Sequence, residues 1–136
     1  MKIKDVLIIK KPIFKNKKGK IIKFVDSKDK IYKKFGEVYL NEINKNKIKG
    51  WICHKKTSSL LKVITGKVEF NLIDKRKNSK TYKNKTRLIL SDKINKILKI
   101  PNGVWFCFKG KNKKSLIMNL IEIPHSDKET IREDIH

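Results

Sequence analysis

Lys67-Val-Glu-Phe-Asn-Leu-Ile-Asp74 alternates between polar and apolar side chains along its length. Successive side chains of a strand point to opposite faces, so Val68, Phe70 and Leu72 share one face and Lys67, Glu69 and Asn71 the other. Such a segment packs one face on a core. Moving outward in both directions, short β-prone runs recur at 6–10, 20–25, 37–43, 48–55, 60–64, 86–91, 97–100, 104–108 and 115–121. Polar turns at 16–19 and at the Asn-Lys-Asn-Lys of 44–47 punctuate them. About ten close-spaced strands with no amphipathic helix between them predict an all-β chain closed into an antiparallel barrel or sandwich, because closure hides the sheet edges. One helix is expected near the end, with Ser126 capping 127–131 and Glu129 at the capping-box position.

Parity then groups side chains. Ile52 and His54 share a face of their strand. Val104, Phe106 and Phe108 form a second apolar stripe, and Leu116, Met118 and Leu120 a third, both expected in the core. Neither an internal repeat nor a linker interrupts the 136 residues, so a single domain over 1–136 is expected.

The formal net charge is +23. A basic surface attracts polyanions and steers phosphorylated ligands, which leaves nucleic acid, an anionic membrane and a nucleoside diphosphate as partners. The excess is nearly all lysine, spread from Lys2 to Lys114 among isoleucines and asparagines, a pattern that compositional drift explains as well as selection does. Proteins that bind single strands interleave exposed aromatics with basic residues on one face, and no such stripe is present, so nucleic acid is not the expected partner. Cys53 and Cys107 form no CxxC pair and fit no disulfide-dense scaffold; reduced thiols and a cytoplasmic location are expected. No apolar stretch approaches the roughly 18 residues that span a bilayer, so no membrane association is expected.

Two further segments carry a recognisable pattern: Lys49-Gly-Trp-Ile-Cys-His-Lys-Lys56, continuing to Gly66-Lys-Val68, and Ile100-Pro-Asn-Gly-Val-Trp-Phe-Cys-Phe-Lys-Gly110, followed by Ile123-Pro-His125. Together they resemble the dTDP-4-dehydrorhamnose 3,5-epimerases and the dTDP-sugar 3,4-ketoisomerases. Those families have an Arg-Gly-aromatic-His-x-His-Lys strand motif and an Ile-Pro-x-Gly-Val-Trp turn. The resemblance runs from about Glu37 to the C-terminus. It implies a double-stranded β-helix of the cupin, or jelly-roll, type with a nucleoside-diphosphate sugar in its mouth. It also implies a homodimer, and chemistry without metal or other cofactor. The residues agree on the metal: a metal-binding cupin needs a His-x-His pair and a His after the Pro-x-Gly turn, where this chain has Ile52, His54 and Phe106.

A 4-keto group acidifies the hydrogens on its neighbouring carbons. A neutral imidazole can take one such proton, and an acid can return it to the other face. The resemblance places His54 as the imidazole and Lys49, at the family's arginine, as the diphosphate clamp. It puts the family's base histidine at Ile52 and its acid tyrosine at Met118, neither of which transfers protons. Tyr39, matching a tyrosine-rich segment of the ketoisomerases, is the remaining hydroxyl acid. Trp105, after the Pro-Asn-Gly turn, is expected to line the pocket. Lys62, against a background of 36 basic residues, and Asn119 complete the substrate-binding candidates. His125 is expected at a turn near the barrel edge, and the terminal His136 carries no assignment. The function these residues imply is epimerisation or keto-isomerisation of a dTDP-linked 4-keto-6-deoxy sugar. The alternative is a nucleotide-sugar-binding barrel that has lost its chemistry.

Overall fold

A computed structural model describes residues 2–133; His136 lies outside them. The described strands are β1 (Leu7–Lys10), β2 (Ile13–Asn16), β3 (Gly19–Ile22), β4 (Glu37–Ile43), β5 (Ile48–His54), β6 (Ser59–Thr65), β7 (Lys67–Asp74), β8 (Lys85–Ser91), β9 (Lys96–Ile100), β10 (Val104–Gly110), β11 (Ser115–Ile121) and β12 (Thr130–Arg132). They build two antiparallel five-stranded sheets, ordered β1-β9-β6-β11-β4 and β12-β5-β10-β7-β8, with β2 and β3 as a separate hairpin. The two sheets face one another as a single-domain jelly roll.

The alternation in β7 does what its sequence dictates. Val68, Phe70 and Leu72 are at most 1% exposed and meet Phe106 and Phe108 of β10, Leu90 of β8, and Leu61, Val63 and Ile117 from the facing sheet. Burying each such side chain contributes roughly 1.5–3 kcal/mol, and the sum of these contacts holds the sheets together. Gly66, at φ +91, makes the tight turn from β6 into β7, and a Cβ there would collide with the Ser115 side chain.

Three expectations are corrected. The helix at 127–131 does not form: Ser126 and Glu129 make a turn, with Glu129 N–H donating to Ser126 O at 3.1 Å, and the chain then enters β12 beside β5. Glu129 spends its carboxylate on other partners, so the capping-box residue has a different task. The stripe Leu116, Met118, Leu120 is not the inner face of β11; Ser115, Ile117, Asn119 and Ile121 are. Leu120 belongs to a second apolar cluster on the outer face with Leu60, Ile97 and Ile31, which the segment containing Phe24, Val25 and Tyr32 covers. On the outer face of β11 that segment covers Leu120, while Leu116 and Met118 remain half-buried. Finally, the expected strand at 20–25 ends at Ile22 and pairs with β2, a strand not anticipated before the 16–19 turn.

Candidate active site

β4, β5, β11 and β12 converge on a cavity of about 300 Å³ between the two sheets, lined by Tyr39, Ile52, His54, Phe106, Asn119 and Arg132 among others. That volume is at the lower end of small-molecule sites. Its floor is apolar and its walls carry the polar groups.

His54 closes β5 and is buried at 6% exposure. Its Nδ1 lies 2.7 Å from Glu129 Oε1. Glu129 is itself held from several sides: Thr130 Oγ1 donates to Oε1 at 2.8 Å, and the backbone N–H groups of Lys56 and Thr57 donate to Oε2 at 3.1 and 3.3 Å. Burial alone raises the pKa of this carboxyl. The hydrogen bonds from His54, Lys56 and Thr130 more than offset that and leave it below the ordinary carboxylate value. An ionised carboxylate only accepts, so the neutral imidazole carries its hydrogen on Nδ1. Nε2 then keeps its lone pair and, among the described residues, has no hydrogen-bond partner.

Tyr39, on β4, stands directly opposite Asn119 in the β4–β11 register. Asn119 Nδ2 donates to Tyr39 Oη at 2.8 Å. Burial raises the phenol's pKa, an effect the Asn119 bond reduces without reversing, so Tyr39 keeps its proton at neutral pH. Because the phenol oxygen accepts from Asn119, its own hydrogen is free to be donated into the cavity.

Lys49 reaches across the open end, its Nζ donating to Asn41 Oδ1 at 2.6 Å and to the Glu42 carbonyl at 2.7 Å. It borders a shallower hollow that also includes Asn41, Ile52 and Arg132 and so adjoins the main cavity. His125 stands exposed at the rim, its backbone N–H donating to Glu37 Oε1 at 2.8 Å.

Two expected substrate contacts are not at the cavity. Trp105 points to the outer face of its sheet, opposite in parity to Val104 and Phe106, where Lys75 Nζ lies 5.0 Å from its ring centroid. Lys62 pairs with Met118 across β6 and β11 and shares the outer face with Leu60, bonding Asn95 Oδ1. For the same reason Met118 faces away from the cavity, and Asn119 is the β11 residue that enters it. His54, Tyr39, Asn119 and Lys49 are therefore brought together, while Lys62 and Trp105 are not. Sequence reasoning missed Glu129 and Arg132. Glu129 lies 75 residues from His54, and its only local signal pointed to a helix cap.

Among the described residues, no three His, Cys, Asp or Glu side chains gather as a metal-ligand set. A carboxylate-held imidazole and a protonated phenol thus line one half-closed cavity between the two sheets. The chain belongs to the dTDP-4-dehydrorhamnose 3,5-epimerase family, whose model matches residues 1–132. None of the curated proteins matches it. Among solved structures, a dTDP sugar isomerase from Desulfovibrio desulfuricans is similar over 97% of this chain and 85% of its own, at 23% identity and a TM-score of 0.92. A dTDP-6-deoxy-D-glucose-3,5-epimerase from Legionella pneumophila, solved with dTDP-4-keto-L-rhamnose, covers 97% and 74% at 17% identity and a TM-score of 0.87. A 4-keto-6-deoxy sugar epimerase from Streptomyces spheroides covers 97% and 70% at 13% identity and a TM-score of 0.88. These likenesses establish the cupin-type fold.

Proposed function

We propose that this chain epimerises or isomerises a dTDP-linked 4-keto-6-deoxy sugar by general acid/base proton transfer. His54 Nε2 removes the acidified hydrogen beside the ketone, and Glu129 stabilises the imidazolium that forms. The Tyr39 O–H donates to the oxygen on which charge develops, and a proton returned to carbon completes the turnover. Lys49 and Arg132, at the adjoining hollow, hold the diphosphate. The observation that carries this reading is the buried His54–Glu129 pair at 2.7 Å in one cavity with Tyr39. Family membership supports the substrate class. The test is solvent deuterium incorporation into a dTDP-4-keto-6-deoxyhexose: the unmodified protein incorporates deuterium, and His54→Asn does not. Undiminished exchange in that variant would remove His54 from the mechanism.

A second reading, a binding barrel without chemistry, is favoured by one feature: Ile52 lines the cavity where the family's base histidine is expected. Thermal stabilisation by dTDP with no exchange in the unmodified protein selects it.

The proposal extends to assembly and location. Val38 and Leu40, 42% and 59% exposed on the outer face of edge strand β4, continue into Leu116 and Met118 as an apolar stripe that fits burial against a second copy. Cys53 and Cys107 are both free thiols, in keeping with a reducing cytoplasm.

A further inference from the structure

Asn119 is 3% exposed and faces the cavity from β11, between Tyr39 on β4 and Leu61 on β6. One half of its amide is spoken for, because Nδ2 donates to Tyr39 Oη at 2.8 Å. The other half, Oδ1, is buried and has no partner among the described residues. Leaving a buried carbonyl without a donor costs about as much as losing a hydrogen bond, and native structures rarely tolerate it. Ser59 Oγ is the other orphaned oxygen, but Ser59 lies between Ile100 and Ile121 in the register and does not line the cavity. An orphaned acceptor at the wall of an open cavity is one that a ligand can complete.

The neighbouring phenol is the mirror case. Its oxygen already accepts, so what it offers the cavity is its hydrogen. Tyr39 and Asn119 thus present one donor and one acceptor side by side on adjacent strands. We infer that this pair reads an α-hydroxyketone, with the ketone oxygen accepting from Tyr39 and the hydroxyl on the adjacent carbon donating to Asn119 Oδ1. The inference rests on the proposed sugar chemistry and adds a specificity to it: the substrate carries a free hydroxyl next to its ketone. A ketone flanked by a methylene satisfies Tyr39 and strands Oδ1. Sites built to hydrogen-bond a hydroxyl reject analogues that lack it more strongly than apolar pockets reject a missing methylene.

The test is a calorimetric comparison of dTDP-4-keto-6-deoxyglucose with its 3-deoxy counterpart on two proteins. The unmodified chain should favour the hydroxylated ligand by roughly 10- to 100-fold. Asn119→Leu, close in volume but without the acceptor, should bring that ratio to about one. Unchanged affinity of Asn119→Leu for dTDP itself, measured in the same way, separates loss of recognition from loss of fold. Equal binding of the two ligands by the unmodified chain, or a preference surviving in Asn119→Leu, overturns the inference and leaves the proposed function standing. Failure of the unmodified chain to bind either ligand removes the sugar-nucleotide reading, and this inference with it.

Discussion

Replacing Glu129 with glutamine removes the ionised acceptor at 2.7 Å from His54 Nδ1 while keeping its size. The imidazole is then free to carry its hydrogen on either nitrogen, and the imidazolium loses its counter-charge. Deuterium exchange should fall about 100-fold, at the lower end of what general acid/base assistance supplies, with ligand binding little changed. A matched loss of binding would mean that Glu129 merely holds the fold. Parity together with the motif at 49–56 was enough to bring His54 to the inner face. It was also enough to set Ile52 beside it in the cavity wall. Glu129 and Arg132 were not legible in this way, since nothing local to 126–132 signals a partner on β5. The pairing exists only once β12 is laid against β5, with Thr130 opposite His54.

At the scale of elements, the loop from β7 to β8 hangs on Asp74, whose side chain is fully buried. Arg76 Nε, Ser79 Oγ and Thr81 Oγ1 donate to it at 2.9, 2.7 and 2.6 Å, and Arg76 Nη2 passes the connection on to the Lys4 carbonyl. Burial raises this carboxyl's pKa. The bonds from Arg76, Thr81 and Ser79 outweigh that and hold it far below the ordinary value. A depressed folded value contributes stability above the unfolded value of about 4, and that contribution is lost as pH falls toward the folded one. Asp74→Asn should therefore lower stability at neutral pH and flatten its decline below pH 4, as read from urea midpoints across pH. Gly66→Ala, which forces φ +91 on a residue with a Cβ aimed at Ser115, should cost about 1–3 kcal/mol by the same measurement. Element positions were the most legible feature of the sequence, because alternation fixes which face of a strand is buried. Where both faces are apolar, as in β11, that signal is silent. In β11 it is Ile117 that enters the main core, while Met118 turns outward and stays half-buried. Trp105 is a different case: its place after the Pro-Asn-Gly turn points to the cavity, whereas the parity that turns Val104 and Phe106 inward puts it on the outer sheet face.

For the whole molecule, the +23 charge surrounds exposed apolar side chains on β1, on the β2–β3 hairpin and on edge strand β4, and the β4 stripe is the one proposed above to meet a second copy. The proposed pairing through β4 is tested by light scattering: the unmodified chain should run as a dimer and Leu40→Asp as a monomer with the circular dichroism of a folded β protein, while a monomeric unmodified chain or a dimeric variant overturns it. The outer layer offers a different reporter. Lys62 is 6% exposed beneath the N-terminal segment, and its neighbour Asn95 also donates to the carbonyls of Lys11 and Lys23 at 3.3 and 2.7 Å. Burial lowers the pKa of that amine, though Asp92 opposes the shift. With that segment in place the amine is shielded from reagent. Acylation of Lys62 by a water-soluble ester would thus require residues 11–32 to part from the sheet, so its rate measures how firmly that outer layer is held.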